Sequence, residues 1–207
     1  MDEFTNALAE FETAFSADLR SDIASVPKDS DVYAYAIEVR DDPSSLYLDS
    51  KIATVSGFRS EMSSMTDLAW WETLLFTCGD RYSDPHWEYS KGKTFEASNE
   101  CLASIQQQFC STDDEVTLDR RLDQLYEVVL RRMNSLRAES ALPSNVLLLI
   151  DVTYGEHRIT RRSFNELNSL RLRARLWPMY NLHPYLYCPI ALTTNLSSRL
   201  FRRSSSG

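Results

Sequence analysis

Asn145-Val146-Leu147-Leu148-Leu149-Ile150-Asp151-Val152 is the densest apolar run in the chain, and its reading decides the fold. Pro143 precedes it, and Thr153, Tyr154 and Gly155 follow, so turn residues bound it at both ends. A short apolar run with such limits predicts a strand buried on both faces. It falls well short of the roughly 20 residues that a membrane-spanning helix needs. A second stretch, residues 31–40, alternates. Tyr33, Tyr35, Ile37 and Val39 share one face, and Ala34, Ala36 and Glu38 the other. The small alanines allow a helix to lie close. The two strands are expected in one sheet, with residues 145–152 as its central strand.

The 207 residues fit a single domain, expected over 1–200, with 201–207 as a disordered tail. A chain of this size buries on the order of 70% of its unfolded surface, so it needs no metal or disulfide staple. The start of the chain is acidic and amphipathic, unlike a secretory leader. With no apolar span either, the expected compartment is the cytoplasm. Cys78, Cys101, Cys110 and Cys188 form no Cys-x-x-Cys pair and are expected reduced. Cys101 and Cys110 fall on one predicted helix, about 13 Å apart by helical rise, too far to bridge.

The net charge of −8 hides an asymmetry. Residues 1–157 carry 13 Lys+Arg against 29 Asp+Glu, whereas residues 158–207 carry 9 Arg and the single acid Glu166. An acidic body disfavours nucleic acid and favours a basic partner. The C-terminal arginines are of a kind that binds phosphate, and the simpler expectation is that they pair with that body.

Helical periodicity recurs along the chain. Phe4, Leu8, Phe11, Phe15, Leu19 and Ile23 mark a first helix, and residues 46–55 a second strand after the turn at Asp41, Asp42 and Pro43. Residues 66–77 fit strand or helix, and the helical reading is preferred. Residues 78–93 form a polar, aromatic loop. Phe95, Leu102, Ile105 and Phe109 mark another helix. Leu118, Leu122, Leu125, Val129, Met133 and Leu136 mark a longer one, which a capping box from Thr112 to Glu115 would open. A second box, Ser163 to Glu166, would start a last helix with Phe164, Leu167, Leu170 and Leu176 inward, stopped by Pro178. The expected architecture is α+β, with a mixed or antiparallel central sheet covered by amphipathic helices.

Chemistry is sparse. The three histidines, His86, His157 and His183, have no zinc-ligand spacing, and no nucleophile elbow, phosphate loop or dinucleotide fingerprint occurs. No metal or cofactor is expected. His86 with Glu88, and His157 beside Glu156, are the pairs on which an alternative reading as a small hydrolase or other enzyme would rest.

The order of features carries a resemblance. A helix leads into Tyr-Ala-Tyr-Ala-Ile-Glu-Val (33–39), then come Asp84-Pro85-His86-Trp87-Glu88-Tyr89, paired helices, the run at 146–152 and Arg-Ser-Phe-Asn-Glu-Leu-Asn (162–168). This order resembles the bacterial domain-of-unknown-function family 4303, over about residues 5–170. Thr54-Val55-Ser56-Gly57 stands where that family has Asn-Thr. The resemblance implies a non-enzymatic immunity protein that neutralises a cognate toxin by occluding its basic surface, and it supplies no catalytic residues. With the charge pattern, it makes Asp41, Asp42, Asp80, Asp84, Asp113 and Asp114 candidate contacts, with Trp87 or Tyr89 as aromatic anchor.

Overall fold

The computed structural model describes residues 3–26, 31–42, 45–57, 60, 88–89, 94–109, 114–152 and 158–174. The chain is α+β. Helix α1 (Glu3–Ser25) leads into the hairpin of β1 (Val32–Asp42) and β2 (Ser45–Thr54), and β3 is the short Glu88–Tyr89. Helices α2 (Glu96–Phe109) and α3 (Glu115–Ala138) follow, then β4 (Leu147–Val152) and α4 (Arg158–Leu167). The predicted features at 66–77 and 201–207, together with Leu176 and Pro178, lie outside the described residues, as does the predicted loop 78–93 except Glu88–Tyr89, which is a strand and not loop.

The sheet is mixed, in the order β3-β2-β1-β4. β1 pairs antiparallel with β2 and parallel with β4, so that Ile37 sits between Ser50 and Ile150. The 145–152 run is therefore not central: among the described strands it is an edge, and β1 lies inside. It is nonetheless buried on both faces, because helices cover both.

One face carries Tyr35, Ile37, Val39, Leu48, Leu148, Ile150 and Val152. Onto it pack Phe11, Phe15 and Leu19 of α1, Leu102 and Ile105 of α2, and Val129 and Met133 of α3, positions that the helical periodicity predicts. The other face carries Ala34, Ala36, Ala53, Leu147 and Leu149, against which Phe164 of α4 lies. Tyr33 belongs to this alanine face, not with Tyr35 as strict alternation predicts. The cause is an irregularity in the β1–β2 register between Val32 and Ala34, which resets the alternation.

Both capping boxes read from sequence are displaced. The N-cap of α3 is Asp114, whose carboxylate meets the Thr117 hydroxyl, so Glu115 opens the helix and Thr112 is outside the described residues. Ser163 caps nothing: α4 has already begun at Arg158. The chain leaves the helix at Asn168, and Ser169 caps the next turn by accepting from Leu172 N at 3.3 Å. That break shifts the apolar phase, so Leu170 is 73% exposed and Leu172 is buried instead.

At the C-terminus of α3, Ala141 N–H returns to Leu136 C=O at 3.2 Å while Ser140 takes φ 56°. This is the left-handed cap usually given to glycine.

Side chains bond strand positions that no described strand pairs, on β2 beyond the short β3 and on β4. Asn99 and Gln106 of α2 bond the outer side of β2 at Leu48 and Leu46. Ser163 and Asn168 bond the outer side of β4 at Ile150 and Leu148.

Candidate functional site

The alanine face changes character along its length. Beyond Ala36 and Leu149 it becomes charged, with Glu38 and Arg40 on β1, Asp49 and Lys51 on β2, and Asp151 on β4. Lys51 is 1% exposed, and its Nζ lies 3.2 Å from Glu38 Oε1 and 3.0 Å from Asp151 Oδ2. Arg40 reaches the second oxygen of Glu38 at 3.3 Å. A buried ammonium is tolerated only with such partners. Asp151, 39% exposed, and Arg40, 46% exposed, are the members of this cluster nearest to water. Sequence reading placed Glu38 on this face but missed the group. The signal was present, as three charges standing at inward positions of otherwise apolar strands.

A second concentration of charge lies on α3. Glu115, Asp119 and Asp123 are exposed and recur every four residues, and Tyr126 lies one turn further on. Tyr126 OH donates to Asp41 Oδ2 at 2.8 Å, which ties the end of β1 to this stripe. Burial, then Asp41, then the fields of Asp123 and Asp119 push the Tyr126 phenol well above its usual value. The four groups thus share one electrostatic neighbourhood.

Most arginines of α3 are engaged away from the stripe, while the exposed Arg120 stands beside it and acts on Asp114. Arg121 turns inward, donating to Phe109 C=O and lying 5.5 and 5.6 Å from the Phe4 and Phe109 rings. Arg131 and Arg132 pair with Glu12, and Arg162 pairs with Glu127 and Glu166. Arg158 approaches Asp123 only to 3.8 Å, both exposed, where water screens the attraction. Arg162 and Arg158 match the expected pairing of the C-terminal arginines with the acidic body.

Of the candidate contacts, Asp41 is half-buried and held by Tyr126. Asp114 is exposed, and the Thr117 hydroxyl holds its carboxyl below the usual range. Twelve residues of helix, about 18 Å, separate Asp114 from Tyr126, so Asp114 and the Tyr126-bound Asp41 of β1 lie at different levels along α3. Asp42 and Tyr89 are placed by their backbones at the ends of β1 and β3. Asp80, Asp84, Trp87 and Asp113 lie outside the described residues, as do His86, His157 and His183; Glu88 is placed by its backbone in β3. The stripe from Glu115 to Asp123 was not singled out from sequence, where the apolar positions of that helix and its capping box were read.

Cys101 is half-buried, and burial with Glu10, Glu100 and Asp18 pushes its thiol up. That environment disfavours a nucleophilic thiolate. Among the described residues, no cluster of three His, Cys, Asp or Glu could hold a metal, and no helix is long and apolar enough to cross a membrane. A cavity of about 460 Å³ between the ends of α1 and α3 is lined mainly by Ile23, Val26, Val32, Leu136, Leu142 and Val146. Its charged lining groups, Arg20 and Glu139, pair with each other at 3.3 Å.

The described residues form an α+β fold with an exposed acidic face on α3. No protein-family model matches the chain, and no curated protein or solved structure matches it either.

Proposed function

We propose that this chain is a non-enzymatic binding protein, an immunity protein of bacterial type that neutralises a cognate toxin by covering its basic functional surface. The observation that carries the reading is the exposed stripe Glu115, Asp119 and Asp123, joined through Tyr126 to Asp41. Behind it stands the acidic excess of residues 1–157. An array of like charge on a rigid helix attracts a basic partner from a distance and orients it. The site would work in the cytoplasm, where a toxin must be stopped.

The side-chain bonds to β2 and β4 support a particular docking mode. Leu46, Leu48, Leu148 and Ile150 already have side-chain partners on their outer sides. At these positions strand addition is blocked, which favours a partner met by side chains there.

The test is co-expression with the product of the adjoining gene. The expected result is a stoichiometric complex and loss of the toxic activity. A toxin that stays fully active with an equimolar amount of this chain would sink the reading.

A further inference from the structure

Asn99 on α2 and Asn168, just past the end of α4, do the same thing on two strands of one sheet: Asn99 on the outer side of β2, beyond the residues that the short β3 pairs, and Asn168 on β4, an edge among the described strands. On β2, Asn99 Oδ1 accepts from Leu48 N–H at 2.7 Å, and its Nδ2 donates to Leu48 C=O at 2.9 Å. On β4, Asn168 Oδ1 accepts from Leu148 N–H at 2.8 Å, and its Nδ2 donates to Leu148 C=O at 2.7 Å. A carboxamide offers one acceptor and two donors. Facing the N–H and C=O of a single residue, it reproduces the bond pair that a neighbouring antiparallel strand would make.

The imitation continues along each strand. Gln106 Oε1 accepts from Leu46 N–H at 2.9 Å, and Ser163 Oγ accepts from Ile150 N–H at 3.0 Å. Leu46 and Leu48, like Leu148 and Ile150, are two residues apart, the interval at which strand groups point to the same side. Two helices thus present substitute strands to β2 and β4.

We infer that Asn99 and Asn168 are latches holding α2 and α4 over β2 and β4, and that what they exclude is strand pairing with a second copy of this chain. The occupant follows from the strand that would be uncovered. Leu147-Leu148-Leu149-Ile150-Asp151-Val152 has one charge, no proline and no glycine, and unpaired runs of this composition seek identical runs. Asn168 is 5% exposed, so its amide is committed to the strand and to Phe164 C=O at 3.0 Å. This inference does not rest on the binding reading.

The experiment uses the full chain carrying Asn99→Ala, Asn168→Ala or both. Sedimentation is followed over a hundredfold range of concentration, with amide exchange at Leu48 and Leu148. The wild type is expected to sediment as a monomer. The double variant should associate at a concentration at least tenfold lower, with those amides exchanging at least tenfold faster. Asn168→Asp should also associate, because it puts a second acceptor against Leu148 C=O.

Variants that keep native circular dichroism and exchange faster, yet remain monomeric, would overturn the inference. The asparagines would then anchor helices only. Should Asn168→Ala fail to fold, Asn99→Ala decides. Its helix is also held through Asp18, which accepts from Ser98 N at 2.9 Å and Ser98 Oγ at 2.6 Å. A folded, monomeric Asn99→Ala chain with a loosened Leu48 amide overturns the inference on its own. So does a wild type already paired through these strands.

Discussion

Tyr126 on α3 donates its hydroxyl to Asp41 at the end of β1, at 2.8 Å, and Tyr35 on β1 donates to Asp22 on α1 at 2.7 Å. The two pairs run in opposite directions. One sends a helix phenol to a strand carboxylate, the other a strand phenol to a helix carboxylate. Each satisfies a polar group under the helix layer, and together they tie α1 and α3 to β1.

These pairs predict alkaline behaviour. Burial first, and then the neighbouring carboxylate, raise both phenols in the fold. An unfolded tyrosine titrates near 10. Below about pH 10 the stabilisation is whole, because both states are protonated. Above it the unfolded chain releases protons that the folded chain keeps, so stability falls. The slope is about 1.4 kcal/mol per pH unit for each phenol. Urea unfolding between pH 9 and 11.5 should show the fall, and Tyr126→Phe should remove about one proton's worth of slope. An unchanged slope in that variant would refute the assignment.

Sequence patterns foretold part of this arrangement for identifiable reasons. The alternation in β1 and the stripes of α1 and α3 are local signals of burial, and each stands where expected apart from Tyr33. Strand order is different in kind. Whether β4 is central or an edge depends on what pairs with it, and Leu148 meets Asn168 twenty residues later. Ser163 shows the same limit. Ser-x-x-Glu is a helix-start pattern, but here the hydroxyl crosses to Ile150 N of β4, a use that no local window reveals. Lys51 and Asp151 are a hundred residues apart, so their ion pair was equally hidden.

A core test comes from β4. Leu148 is 2% exposed and faces the helix layer. Leu148→Ala should cost about 2–5 kcal/mol by equilibrium denaturation, since the helices above cannot collapse fully into the space left. A loss below about 1 kcal/mol would contradict the burial described.

The ion cluster predicts an order of effects. Lys51→Met keeps the buried stem but removes the cation that Glu38 and Asp151 share, with Arg40 still on Glu38, at a cost of about 3–5 kcal/mol. Asp151→Asn should cost less, because Glu38 remains 3.2 Å from Lys51 and Asp151 is partly hydrated. Chemical denaturation of the two variants side by side gives the order. Equal losses would show that the cluster does not distinguish its buried from its solvated partner.

Ser140 offers a gain. Its φ of 56° forces a β-carbon against the following carbonyl, a conflict of roughly 1–2 kcal/mol that glycine escapes. Part of that is offset by the greater freedom of glycine in the unfolded chain. Ser140→Gly should therefore raise stability by about 0.5–1 kcal/mol, seen as a higher denaturant midpoint with an unchanged slope.

The acidic stripe carries the functional prediction, and the choice of residues matters. Asp114 caps α3 and Glu115 lies in its first turn, where the helix dipole favours an acid, so reversing either would disturb the helix. Asp119 and Asp123 lie beyond that turn and are exposed. Reversing both to Lys should leave the denaturation midpoint almost unmoved, because exposed charges contribute little to stability. It should slow association with the basic partner by about tenfold at low salt, since encounter is steered by the summed field. Wild-type association should slow as ionic strength rises and the screening length shrinks towards about 8 Å, with the reversed variant much less sensitive. Dissociation should change less, unless these acids lie in the dehydrated centre of the interface. The measurement is association rate against salt for both proteins with the isolated partner. A wild-type rate indifferent to salt would make the stripe a solubility feature and remove its part in recognition.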